Sequence, residues 1–141
     1  MILDEAIRLL RDCARQMNDL YGKVVFDEWV ILSLVQNQAR ILTYHGPRND
    51  AFLKNFAADL GPLRAELLDA KYGVGDFEFA RDGAGTKFEA FMVLGEGLYL
   101  ICNHTQSSMN EIAREPRWLK AQVPFAQLSE RVRSSPLVYS V

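Results

Sequence analysis

Leu3, Ile7, Leu10, Ala14, Met17 and Tyr21 recur every three or four residues, the interval that lines one side of an α-helix. Ala6, Cys13 and Leu20 widen that stripe, while Asp4, Glu5, Arg8, Arg11, Asp12 and Arg15 fill the opposite side. The pattern predicts a helix over 2–21, closed by Gly22, which takes a positive φ without a Cβ clash. The run is too short to favour a coiled-coil arm, so the stripe reads as a helix laid on a sheet. The period then changes to two. Residues 28–35 (EWVILSLV) are rich in β-branched and aromatic side chains with apolar groups on both faces. That suits a strand covered on both sides, with Val30, Ile31 and Leu32 nearly fully buried. Gln36, Asn37 and Gln38 read as a polar turn, and residues 40–45 (RILTYH) as the returning antiparallel strand. Gly46 and Pro47 end the pair, because proline lacks the amide hydrogen that a ladder requires.

Asn49 or Asp50 can cap a second helix. Phe52, Leu53, Phe56, Leu60, Leu63, Leu67 and Leu68 keep helical spacing through residue 69, and Gly61-Pro62 predicts a kink or a break within it. Residues 72–82 (YGVGDFEFARD) alternate Phe77 and Phe79 with Asp76 and Glu78. A glycine-rich turn at 82–85 leads to a strand over 87–94 (KFEAFMVL), and Gly95-Glu96-Gly97 turns the chain into 98–103 (LYLICN). These three segments predict a meander. Ser108 and Glu111 form a capping box. A final helical region runs to about residue 133, with Pro116 expected in the first turn of its second section. Trp118, Leu119, Gln122, Phe125, Leu128 and Val132 trace the buried stripe of that region. No repeat or low-complexity linker interrupts the chain, so residues 1–141 read as one domain.

Composition narrows the function classes. The 141 residues include 49% apolar and 24% charged side chains, an ordinary globular balance rather than a disordered one. Lys and Arg number 16 against 18 Asp and Glu, giving a net charge of −2. Nucleic-acid binding would call for a basic excess, so no nucleic-acid partner is expected. No apolar run approaches the roughly 20 residues of a membrane span. The first residues carry no basic region ahead of an apolar stretch, so no secretory signal is expected. Cys13 and Cys102 are too few for a disulfide scaffold and point to the reducing cytoplasm.

The predicted order α-β-β-α-β-β-β-α, spanning about residues 2–133, resembles the roadblock/dynein light chain family, which is related to the longin and profilin folds. The resemblance lies in element order and length. It implies an α+β domain with one five-stranded antiparallel sheet, the middle helix on one face and the terminal helices on the other. It also implies a non-catalytic dimer that serves as a platform for Ras-like small GTPases or motor complexes. In such a sheet the third strand lies at an edge, where it can pair with the same strand of a second copy. Phe52, Phe56, Leu60 and Leu63 of the middle helix, with Phe77 and Phe79, are then the expected interface of a homodimer. The Gly61-Pro62 break and the broken last helix depart from the family pattern, which bears on the partner surface more than on the core. The secretion-chaperone fold, a peptide binder, is the nearest alternative. It needs three strands before its middle helix, whereas only two strand-like segments precede residue 50.

Candidate chemistry is sparse. His45 and His104 end the second and fifth predicted strands, which in a roadblock-like sheet would flank the first strand and put both histidines at the end where Asp27 and Glu28 begin it. Imidazole and carboxylate together could hold a metal or a ligand, or move a proton. Asp27, His45 and His104 therefore define a second reading, a small-ligand sensor or minor enzyme. Two strand spacings, about 10 Å, separate the two histidine backbones, which is far for shared coordination. Solvated strand-end histidines are the plainer reading. Cys102-Asn103-His104 sets a thiol near an imidazole, yet a cysteine nucleophile usually takes its base from a distant segment. The run Gly83-Ala84-Gly85-Thr86-Lys87 has the lysine after the threonine and a strand, not a helix, after that, so it reads as a hairpin rather than a phosphate loop. Trp29, Tyr44, Tyr72, Phe77, Phe79 and Trp118 could line a pocket, but alternating aromatics more often make core or interface. No cofactor, metal or catalytic set is expected from these residues.

Overall fold

The computed structural model describes residues 1–35, 38–47, 72–79, 88–104, 112 and 114–139. In chain order the elements are α1 (Leu3–Tyr21), β1 (Glu28–Val35), β2 (Gln38–His45), β3 (Phe77–Phe79), β4 (Phe88–Gly95), β5 (Leu98–His104), α2 (Trp118–Ala121) and α3 (Val123–Ser134). The five strands form one sheet in the order β2-β1-β5-β4-β3, with every neighbouring pair antiparallel. The class is α+β. Residues 48–71, where the middle helix with Phe52, Phe56, Leu60 and Leu63 is expected, and the capping box at 108–111 lie outside the described residues.

α1 follows its stripe. Ala6, Leu10, Cys13, Met17 and Tyr21 are buried, and Gly22 ends the helix at φ 84°, its amide donating to the Asn18 carbonyl at 2.8 Å. β1 sits between β2 and β5 and is apolar on both faces because both faces are covered. Val30, Ile31 and Leu32 are at most 1% exposed, as the residue pattern predicts. Alternation splits the strand cleanly. Trp29 and Ile31 join the core beneath α1, α2 and α3, with Met92, Leu100, Cys102 and Phe125. Val30, Leu32 and Leu34 join a second cluster on the other face, with Phe91, Val93, Tyr99 and Ile101.

Three boundaries differ from the sequence reading. β2 begins at Gln38 rather than Arg40, because Gln38 and Ala39 already pair with Val35 and Leu34. β3 begins only at Phe77, since the chain turns at Val74 and Gly75 before it, and covers Phe77–Phe79 among the described residues. The last helical region has a break beyond the one read at Pro116: Pro116 lies in the turn just before α2, which starts at Trp118, and a second break at Gln122 precedes α3, whose first turn holds Pro124. Proline there loses no helical hydrogen bond, so it starts a helix as readily as it ends one. After α3 the chain runs back along β4, where the Leu137 amide donates to the Leu94 carbonyl at 2.8 Å. Gly95 admits that close approach, because a Cβ there would strike the Leu137 carbonyl. Among the described residues, no helix is long and apolar enough to cross a membrane.

Candidate functional site

β2 and β5 flank β1 and run parallel to each other, so His45, His104 and the start of β1 share one end of the sheet. Glu28 is the group there that costs most to bury. It is 1% exposed and lies on the face of Val30 and Leu32. The Tyr44 hydroxyl donates to its Oε2 at 2.6 Å and the Asn103 side-chain amide to its Oε1 at 3.0 Å. A buried carboxylate requires such donors, and hydrogen bonds to a charged acceptor are the strong ones. Gly46 belongs to the same cluster, since a Cβ at that position would press on the Tyr44 ring and hydroxyl. Three strands thus converge on one carboxyl group.

The other face of the same end carries the histidines. His45 is exposed and pairs with Trp29 across the β1–β2 ladder, its ring stacked on the indole at 5.4 Å between centroids and 21° between planes. Cys102 stands on the other side of Trp29, and His104 lies two residues farther along β5 on that face. Trp29 therefore intervenes in the row that a shared ligand would need. Asp27 is half-buried just before β1, and its backbone amide donates to the Asn103 carbonyl at 3.1 Å. Among the described residues, no group of three His, Cys, Asp or Glu side chains could hold a metal ion.

The thiols are in the core. Burial pushes Cys13 up to about 12, and it pushes Cys102 well above the ordinary thiol value, with Cys13 adding to the effect. A thiol held protonated in apolar surroundings is a poor nucleophile. Asn103, between Cys102 and His104, points to the opposite face and serves Glu28.

Phe77 and Phe79 are half-buried and face their own helices. Phe77 meets the Phe125 ring edge-on at 5.3 Å; Phe79 lies 5.0 Å from Phe125 and 5.0 Å from Trp118. The turn before β3 is fastened to α3. The buried Ser129 hydroxyl donates to the Gly75 carbonyl, Arg133 pairs with Asp76 at 3.1 Å, and the other Asp76 oxygen accepts the Gly73 amide at 2.7 Å. Gly75 has φ 90°, and the stem of Arg133 packs where its Cβ would be.

The sequence reading placed Asp27, Glu28, His45 and His104 at one sheet end and did not single out Tyr44 and Asn103 as partners of Glu28. The signal was present in the two-residue alternation, which puts Glu28 on the apolar face of Val30. Ser129 and Arg133 gave no such signal, because their partners lie more than fifty residues away. No family model matches the chain, and no curated protein matches it.

Proposed function

We propose that the chain is a non-catalytic interaction module of the cytoplasm that works as a homodimer joined along the β3 edge, presenting a platform to a protein partner of the Ras-like small GTPase kind. The observation that supports this reading is the strand order. Among the described residues, five antiparallel strands in the order β2-β1-β5-β4-β3 with α1, α2 and α3 on one face agree with the strand order that the roadblock resemblance implies, and β3 lies at the end of that order. Such support is by analogy of fold. The chemistry of the sheet end agrees with a binding role. Glu28 is engaged in the wall, His45 is stacked on an indole, and both thiols are buried. Two strands before residue 50 and three after residue 76, among the described residues, also suit this arrangement better than that of a secretion chaperone.

Glu78 is exposed on β3, the edge proposed to meet the second copy. The chain's two cysteines are both buried, so Glu78→Cys adds the accessible thiol. Under mild oxidation this variant is expected to give a covalent dimer in high yield, while the same change at exposed Arg15 gives none. Sedimentation equilibrium of the unmodified chain accompanies it. A 16.0 kDa species at micromolar concentration would overturn the dimer.

A further inference from the structure

β2 ends the sheet on the side opposite β3. It is eight residues long and, among the described residues, pairs with β1 alone. An edge of that length presents a row of backbone donors and acceptors, the template on which another strand can build. Proteins blunt such edges with proline, short length, charged side chains or bulges, and β2 has only the last two, each in a single instance. β2 has no proline and a single formal charge, Arg40, which is exposed. Its one interruption is a bulge. Ile31 faces Thr43 while Leu32 faces Ile41, leaving Leu42 as the extra residue. The bulge divides the edge, so the unbroken run is Gln38 to Ile41, about 13 Å of backbone.

That run has a chemical character. Ala39 and Ile41 are half-buried against the cluster of Val30, Leu32 and Leu34, whereas Gln38 and Arg40 are exposed. Residues 38–45 contain no Asp or Glu. A second copy paired through the same strand would bring another Arg40 and no carboxylate. A foreign strand can bring both an apolar side chain opposite Ile41 and an acid opposite Arg40, and opposite charges directly across a ladder attract.

We propose that β2 is a docking edge for an extended segment of another protein, which adds a strand along Gln38–Ile41 with an apolar residue beside Ile41 and a carboxylate beside Arg40. This site lies on the edge away from β3 and stands whether or not the chain dimerises there.

Two capped probe peptides test it, each of eight residues with valine at alternate positions and the remaining amides N-methylated so that only one edge can pair. One carries glutamate at its centre, the other lysine. Backbone amide shifts and hydrogen exchange of the full chain are followed during titration. The glutamate peptide is expected to shift and protect amides within 38–41 and to bind about fivefold more tightly than the lysine peptide. Arg40→Glu, at an exposed position, is expected to reverse that order while leaving the rest of the amide spectrum unchanged. Equal binding of both peptides, or no change at 38–41 with either, would overturn the proposal. So would slow exchange of every β2 amide before any peptide is added, or protection of those amides by self-association.

Discussion

Glu28 shows how one residue can tie several strands. Its carboxylate lies beneath an apolar surface and is satisfied by Tyr44 from β2 and Asn103 from β5. Glu28→Ala removes the acceptor from two half-buried donors, so it should cost about 2 kcal/mol, whereas the isosteric Glu28→Gln should cost about 1 kcal/mol. The urea midpoints of the two variants check this ordering. Ile31, fully buried beneath the helices, should lose roughly 2–5 kcal/mol on truncation to alanine because the surrounding core closes the cavity only in part. The thiols give a pH prediction. Burial pushes the Cys13 thiol from its ordinary value up to about 12 in the folded chain, and Cys102 is also raised by burial. Above pH 9 the unfolded thiols release protons that the folded ones keep, so the unfolded state is favoured as pH rises. Stability should therefore fall between pH 9 and pH 11, by up to about 1.4 kcal/mol per unit for each thiol. Cys13→Ala should flatten the slope in a series of denaturant melts. The burial of Val30, Ile31 and Leu32 was legible from local alternation alone. The partners of Glu28 were not, because they depend on which strands lie on either side of β1.

Among the elements, α1 and β1 were readable to within a residue because each repeats one period over its whole length. β3 was not, since Gly73 and Gly75 obscure the alternation and the strand's position is set from outside it. Ser129 and Arg133 on α3 hold the preceding turn. Ser129→Ala leaves the Gly75 carbonyl without its side-chain donor and should cost about 1–3 kcal/mol. Arg133→Ala removes an exposed ion pair with Asp76 and should cost no more than about 1 kcal/mol. Amide exchange at Phe77, Glu78 and Phe79 should speed up more in the serine variant than in the arginine variant; the reverse order would place the fastening in the ion pair. The same contacts affect the choice of interface variants. Phe79 packs edge-on against Trp118 and at a tilt against Phe125, so Phe79→Asp would disturb the chain's own core before it reported on a partner. The break at Pro116 was legible, since α2 starts two residues later, whereas the second break at Gln122 was not read although Pro124 opens α3.

At the scale of the whole molecule, element order was enough to anticipate a five-stranded antiparallel sheet with β1 between β2 and β5, and the strand pairing bears that out. Function was less legible, because an interaction surface is defined by what it meets, and partners leave weaker marks on a sequence than a catalytic set does. At the sheet end, the row from His45 runs across Trp29 to Cys102, two residues short of His104 on β5. Replacing His45 and His104 together by alanine should leave the melting temperature within a few degrees and alter no bound metal. Stoichiometric zinc in the native protein, lost in that variant, would favour the ligand-binding reading instead. The central claim is that the chain acts as a dimer through one edge of its sheet, and sedimentation equilibrium across the micromolar range tests it most directly. The account predicts a single species of twice the 16.0 kDa chain mass that dissociates on dilution; a 16.0 kDa monomer at every concentration would contradict it.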